Sequence, residues 1–130
     1  MQVAMFYPCN YGFIPHTLSG DGDPVDVLVL SNYPVVPGAV IKCRPVGVLM
    51  MEDESGVDEK IIAVPIDKLD ISFNSIKDIN DVNSIIILRI KHFFEHYKDL
   101  EKGKWVKILG WEDIKTAKRL IEEGVKRLTT

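Results

Sequence analysis

The chain has 130 residues, a formal net charge of −3, 46% hydrophobic residues and 27% charged residues. These values are ordinary for a globular protein, and the length fits a single domain, residues 1–130. The negative charge argues against a nucleic-acid partner, because phosphate backbones attract basic surfaces. With neither a basic leader before an apolar run nor an apolar run of membrane-spanning length, we expect a cytoplasmic protein without a membrane partner.

The first half of the chain is predicted to form strands, because short apolar runs alternate there with turn residues. The strand candidates are residues 3–7, 25–30 and 39–43, followed by a hairpin over 46–64 that turns at 52–56. The polar region 67–81 is expected to be a loop with short helical turns. Cys9 and Cys43 lack metal-binding spacing and are predicted to be buried or half-buried thiols in a reducing compartment.

The second half changes period, since apolar residues recur every three to four positions. This spacing predicts an α-helix at about 82–98, capped by Asn80 or Asp81, and another at about 112–127. Between them, residues 104–109 are predicted to be a strand. Many short strands with helices towards the end predict an α+β fold with a small closed or nearly closed barrel.

The segment Asp21-Gly22-Asp23-Pro24-Val25-Asp26 places three carboxylates within six residues. Its glycines and proline predict a turn, and a turn can direct all three side chains to one point. Hard oxygen ligands that converge in this way suit Mg²⁺ or Mn²⁺. An EF-hand calcium loop is excluded, because Pro24 and Val25 interrupt its spacing and Asn32 stands where the closing Glu belongs. A solvated acidic turn is an equally good interpretation of this segment alone.

A second acidic cluster, Asp53, Glu54 and Asp58, lies at the predicted hairpin turn. Asp58 and Lys60 are two apart on a strand and therefore share a face. Taken alone, this cluster favours a solvated hairpin tip.

Several basic and aromatic residues have structural interpretations when each is taken alone. A cation such as Lys98 at a helix C-terminus complements the helix dipole, and Tyr7, Tyr11 and Tyr97 fit a core or half-buried position. His92 and His96 are four apart, a possible metal pair without an evident third ligand, and are interpreted as surface or interface residues. Taken together, many acids with a few lysines and tyrosines predict a site for a polyanion bridged by divalent cations.

Five segments occur in order across essentially the whole chain. They are Met5-Phe6-Tyr7-Pro8-Cys9-Asn10-Tyr11-Gly12, Asp21-Gly22-Asp23-Pro24-Val25-Asp26-Val27, Cys43-Arg44-Pro45-Val46-Gly47-Val48, the Asp53-Glu54 to Lys60 hairpin, and His92-Phe93-Phe94-Glu95-His96-Tyr97-Lys98-Asp99-Leu100. In this combination the chain resembles the soluble family I inorganic pyrophosphatases of the bacterial type.

The resemblance implies an OB-like five-stranded β-barrel with two helices, dependence on Mg²⁺ (with Mn²⁺ or other divalent ions as alternatives), and hydrolysis of pyrophosphate to two phosphates. It implies metal ligation by Asp21, Asp26, Asp53 and Asp58, with Asp26 shared between two ions and Asp23 as the general base. It implies phosphate binding by Tyr11, Lys60, Tyr97 and Lys98, supported by Tyr7 in the pocket and Glu54 in the outer shell. It also implies a homohexamer with His92, His96 and Asp99 at a subunit interface.

The family has an N-terminal stretch, with early barrel strands and further acids, a Lys and an Arg, that these 130 residues do not match. On that ground the chain is expected to turn over pyrophosphate weakly or not at all, because a lost cation at a phosphoryl site costs roughly 10²–10³ in rate. One alternative function is a non-catalytic truncated paralogue that acts as a metal-binding or oligomer-assembly module. A second is an oligonucleotide-binding OB-fold, which the acidic clusters oppose.

Overall fold

The computed structural model describes residues 9–32, 35–36 and 38–129. The secondary-structure elements, in chain order, are β1 Asn10–Ile14, β2 Val25–Val29, β3 Cys43–Asp53, β4 Gly56–Pro65, α1 Ser84–His96, β5 Val106–Glu112 and α2 Ile114–Thr129. The strands form one mixed sheet in the order β1-β2-β4-β3-β5, in which β2 and β4 are parallel and the other pairs are antiparallel. The predicted α+β class with five strands and two helices is confirmed, and both helices lie within two residues of their predicted bounds.

The strand predictions are confirmed in part. The hairpin is confirmed as β3 and β4, whereas β1 was not predicted because Asn10, Tyr11 and Gly12 supply no apolar run. The predicted strand at 39–43 is wrong, since β3 begins at Cys43 and continues through Pro45. Pro45 is tolerated because β5 pairs with β3 only from Val48 onward, so no ladder hydrogen bond is lost on that side. The predicted strand at 3–7 lies outside the described residues.

The segment before α1 differs from its prediction in one detail. Helix α1 is capped by Asn83, whose side chain accepts a hydrogen bond from the Ile85 amide at 2.8 Å. Asn80 and Asp81, the predicted caps, instead belong to a short 3₁₀ turn, Ile79–Asp81. A second such turn at Ile71–Phe73 confirms the predicted short helical turns within 67–81.

The two helices cover opposite faces of the sheet. Because side chains alternate along a strand, Leu28 and Ile62 join one core with Phe94 of α1, whereas their neighbours Val27 and Ile61 face α2. Strand β4 lies between two other strands and is buried from Lys60 to Pro65. A polar side chain on the α1 face of β4 must therefore find its partners within the protein.

Cys9 is buried and Cys43 is half-buried, and both are free thiols, as their predicted burial implies. Burial raises the pKa of the Cys9 thiol to about 12, so this side chain behaves as a small hydrophobic group. In the part of the chain that the structure describes, no helix combines the length and apolar character needed to cross a membrane.

Gly47 marks a close approach between β3 and the turn before α1. A Cβ atom at this position would lie 2.6 Å from Ile79 Cβ and 2.9 Å from the Glu112 carbonyl oxygen. We expect Gly47→Ala to lower the free energy of unfolding by about 1–3 kcal/mol, because neither neighbour is a flexible side-chain end. Urea unfolding followed by circular dichroism measures the loss.

The matched control is Gly12→Ala in β1, where the nearest contact of an added Cβ is 3.9 Å away, at Val27 Cγ1. Equal stabilities for the two variants would contradict the steric argument for Gly47.

Candidate active site

Lys60 is the centre of a buried ion cluster on the α1 face of the sheet. It lies opposite Asp26 in the register of β2 and β4, and Asp58 precedes it by two residues on the same face. Its ammonium Nζ lies 3.0 Å from Asp58 Oδ2 and 3.3 Å from Asp26 Oδ2. The Lys60 side chain is only 4% exposed, whereas the Asp26 and Asp58 side chains are 27% and 21% exposed. The charged end of the lysine is therefore held beneath two partly exposed carboxylates.

The surroundings of Lys60 keep it protonated. Burial by itself lowers the pKa of Lys60, but the neighbouring Asp58 and Asp26 carboxylates outweigh this and raise it above its usual value. The rings of Tyr11 and Phe94 lie 5.1 and 5.5 Å from Nζ, a distance that suits cation–π attraction. Burial raises the pKa of Tyr11 to about 12, so its phenol remains a hydrogen-bond donor at neutral pH.

A second ion cluster joins the end of α1 to the end of β3. Lys98 Nζ lies 2.9 Å from Asp53 Oδ2 and 3.3 Å from Glu54 Oε1. Burial disfavours the charge on Lys98, but the hydrogen bonds to Asp53 and Glu54 raise its pKa overall. Burial likewise acts to raise the pKa of Asp53, yet Lys98 and the Ser55 amide lower it. Both partners are therefore charged at neutral pH.

Tyr97 connects the two clusters. It ends α1 next to Lys98, and with Tyr11, Lys60, Phe93 and Phe94 it lines a cavity of about 220 Å³. Burial raises the pKa of Tyr97, and the charges of Lys98 and Lys60 act on it in the opposite direction. The cavity therefore has two phenol groups and one ammonium group on its walls, with a second ammonium group beside it.

The acidic segment forms the predicted turn between β1 and β2. Gly22 has a φ of 88°, a left-handed conformation that favours glycine. The Ser19 hydroxyl and the Asp23 amide both donate hydrogen bonds to Asp21 Oδ1, the latter at 2.9 Å. These two donors lower the pKa of Asp21, with a smaller contribution from the Lys60 charge. Asp21 and Asp23 are both exposed at the surface of the loop.

The structure brings only some of the sequence-predicted residues into direct contact. Among the described residues, the side chains that bond Lys60 Nζ are Tyr11, Asp26 and Asp58, and do not include Asp21 or Asp23. Within the described ranges of the chain, the three loop carboxylates do not converge into a group that could hold a metal ion, and Asp21 accepts from donors of its own loop. Tyr7 lies outside the described residues.

The oxygen donors of the two ion clusters are of the type that suits a hard divalent cation. Within residues 9–32, 35–36 and 38–129, no three His, Cys, Asp or Glu side chains converge closely enough to hold a metal ion. Asp26 and Asp58 nevertheless accept one compact positive charge, the Lys60 ammonium, between them. Carboxylate oxygens in such a pair are the ligand type that Mg²⁺ prefers.

His92 and His96 lie one turn apart on the exposed side of α1, with their ring centroids 4.6 Å apart. His96 Nδ1 lies 2.8 Å from Asp99 Oδ2. These three residues are on the surface and lie outside the cavity lining.

Sequence reasoning missed the roles of two residues. Ser19 leaves only a weak signal in the sequence, because serine is common in turns and its hydroxyl donates here to the side chain of Asp21. Phe94 was assigned correctly to the apolar side of α1, but its contact with Lys60 joins residues distant in the chain and leaves no local signal.

The fold and the site together define a class of protein: a mixed sheet with a small cavity lined by two tyrosines and one buried lysine, and with two lysine–carboxylate clusters beside it. Such a site suits an oxyanion with several charges. A family model described as inorganic pyrophosphatase matches residues 1–129. The chain belongs to the inorganic pyrophosphatase family.

Individual relatives agree with this assignment. The inorganic pyrophosphatase of Rickettsia bellii is 72% identical over 128 residues, which cover 98% of this chain and 73% of that protein. The solved inorganic pyrophosphatase of Helicobacter pylori is 53% identical with a TM-score of 0.96, covering 98% of this chain and 75% of its own. The solved inorganic pyrophosphatase of Thermus thermophilus is 50% identical with a TM-score of 0.94, and the match covers 98% of this chain and 74% of that one.

Proposed function

We propose that this chain hydrolyses inorganic pyrophosphate to two phosphates and that the reaction depends on Mg²⁺. The observation that carries the proposal is the placement of the four predicted phosphate-binding side chains. Tyr11, Lys60 and Tyr97 line one cavity, and Lys98 Nζ lies 5.6 Å from the centroid of the Tyr97 ring. The family membership of the chain supports the same substrate.

The metal ligands in this proposal are Asp21, Asp26, Asp53 and Asp58. The support is chemical, since all four are hard oxygen donors; Asp26, Asp58 and Asp53 belong to the two ion clusters, and Asp21 lies on the acidic loop that leads into β2. Mn²⁺ and other hard divalent ions are alternatives to Mg²⁺. When bound, such ions acidify a coordinated water and screen the charge of the substrate.

The remaining roles follow from the protonation states of the side chains. Lys60 and Lys98 are held as ammonium groups and attract phosphate oxygens, while Tyr11 and Tyr97 keep their protons and donate hydrogen bonds. Glu54 orients Lys98 through the 3.3 Å contact. Asp23 accepts the proton of the attacking water, a role that suits a carboxylate at the exposed surface of the loop.

The test is a phosphate-release assay on the purified 130-residue chain. We expect phosphate to appear from pyrophosphate with Mg²⁺ and not with EDTA, because metal and ammonium charges are both needed to neutralise the substrate. A monoester such as p-nitrophenyl phosphate is the control substrate and is expected to react far more slowly.

Failure of a folded chain to release phosphate above the protein-free rate would refute the proposal and favour the non-catalytic alternative. The same assay gives the absolute rate of hydrolysis, and this rate tests the separate prediction that the chain turns over pyrophosphate weakly.

We also propose that the protein is cytoplasmic, that residues 1–130 form a single domain, and that the chain assembles into a homohexamer. The exposed side of α1 supports self-association, because Ile85 and Leu88 are 57% and 63% exposed there. They precede His92 and His96 at helical spacing, with Asp99 beyond, and form a continuous stripe. A monomeric mass in analytical ultracentrifugation would contradict the assembly.

A further inference from the structure

The acidic loop is attached at its base to the last turns of α2. The Leu18 amide donates a hydrogen bond to the Gly124 carbonyl oxygen at 3.0 Å. The Arg127 guanidinium donates to the Leu18 carbonyl oxygen at 3.2 Å, a contact between residues 109 apart in the chain. Both polar groups of the Leu18 backbone therefore bond to α2, three residues before Asp21.

The neck of the loop, where the chain enters it at Thr17 and leaves it at Val25, is held together by hydrogen bonds close to Leu18. The buried Thr17 hydroxyl donates to the Ile14 carbonyl oxygen at 2.6 Å and accepts from the Val25 amide at 3.1 Å. A Cβ atom at Gly124 would lie 2.9 Å from Val25 Cγ2 and 3.2 Å from Thr17 Cβ, so α2 packs tightly against both sides of the neck. Helix α2 therefore fixes the base of the loop, which consists of Thr17, Leu18 and Val25. The tip of the loop, which carries Asp21 and Asp23, projects from this base.

Arg127 also reaches towards the strand that carries the buried ion cluster. With Glu59 and Arg119 it lines a cleft of about 300 Å³ between α2 and the sheet. Glu59 lies between Asp58 and Lys60 on β4, with its side chain on the α2 face of the sheet, and its charge interacts with that of Arg127. Arg127 is thus placed between the loop base and the back of β4.

We propose that Arg127 is a positioning residue that holds the Asp21–Asp23 loop at a fixed position relative to the Lys60 cluster. It does so from the α2 side of the sheet, opposite the side on which the Lys60 cluster lies. This inference rests on the proposed function for its catalytic consequence, although the structural tether can be tested without it. The described lining of the cavity beside Lys60 does not include Arg127, and the contact of Arg127 with the loop is its hydrogen bond to the Leu18 carbonyl oxygen. Without the Arg127 hydrogen bond, the Leu18 backbone is attached to α2 by its amide, which donates to the Gly124 carbonyl oxygen, and no longer by its carbonyl, so we expect the loop tip to loosen.

Arg119 supplies a matched control on the same helix. It lies two turns before Arg127, lines the same cleft and interacts with the charge of Glu59. Its guanidinium bonds to Glu123 at 3.2 Å rather than to the loop base. Arg119→Met therefore removes a similar charge and a similar apolar stem without removing the Leu18 contact.

The first measurement is hydrogen exchange of the loop amides in Arg127→Met, Arg127→Lys and Arg119→Met. The reporters are the amides of Leu18, Ser19 and Gly22, which are all hydrogen-bonded within the loop or to α2. We expect exchange to accelerate about 10-fold in Arg127→Met, to stay near the parent rate in Arg119→Met, and to be largely restored in Arg127→Lys. Equal acceleration in Arg127→Met and Arg119→Met would overturn the tether.

The second measurement is steady-state pyrophosphate hydrolysis by the same three variants. We expect kcat of Arg127→Met to fall about 5–20-fold with little change in KM, because the loop carries the proposed base and a proposed metal ligand but none of the proposed phosphate-binding side chains. A kcat equal to that of Arg119→Met would overturn the positioning role. If the parent chain releases no phosphate, the proposed function fails, while the exchange comparison still decides whether Arg127 holds the loop.

Discussion

Lys60→Met is expected to destabilise the chain by about 2–3 kcal/mol when divalent cations are removed with EDTA. Removing one partner of a buried ion pair costs about 3–5 kcal/mol, because the remaining charge is left uncompensated. Asp26 and Asp58 are 27% and 21% exposed, so water screens part of that penalty and reduces it to about 2–3 kcal/mol. Methionine fills most of the volume of the lysine stem, and the loss therefore reports mainly the missing charge. Urea unfolding in EDTA measures it.

Mg²⁺ should restore part of the lost stability in Lys60→Met. Without the ammonium group, Asp26 and Asp58 repel each other and gain more from a divalent cation than they do in the parent chain. Pyrophosphate turnover should still fall roughly 10²–10³-fold, because a preorganised cation at the substrate is lost.

Lys107→Met is the matched control, since Lys107 is an exposed lysine on β5. The interpretation of the Lys60 cluster would be wrong if Lys60→Met were as stable in EDTA as this control. It would also be wrong if Mg²⁺ stabilised both variants equally.

Asp23→Asn is expected to lower kcat for pyrophosphate by about 10²–10⁴-fold, the range attributed to a general base. Its effect on stability should be small, because Asp23 is exposed and holds the loop through its backbone. The Asp23 carbonyl accepts from the Ser19 amide at 2.7 Å and the Asp23 amide donates to Asp21, and Asn keeps both contacts. Steady-state kinetics with parallel thermal unfolding separates the two effects.

Asp67→Asn is the control, because Asp67 is an exposed aspartate in the turn that follows β4. Retention of kcat within two-fold in Asp23→Asn would assign the proton transfer to a different group. If the free energy of unfolding falls by as much as the activation free energy derived from kcat rises, the carboxylate has a structural role instead.

Local features of the chain were accessible from the sequence. The two helices follow from apolar spacing, the hairpin from two apolar runs around Glu54-Ser55-Gly56, and the acidic turn from Gly22 and Pro24. Each depends on residues close in the chain, whose conformational preferences act before any tertiary contact forms. The family resemblance was also available at this level, because it depends on residue identity and order.

The contacts that build the site were decided by the tertiary structure. Lys60 lies between Asp26 and Asp58 only because β2 and β4 pair in parallel with Asp26 opposite Lys60. The contact of Arg127 with Leu18 depends on where α2 crosses the back of the sheet. Local periodicity states which face a side chain occupies, but strand order and register determine which partner it meets there. Charge compensation at this site therefore arises from the packing of distant segments.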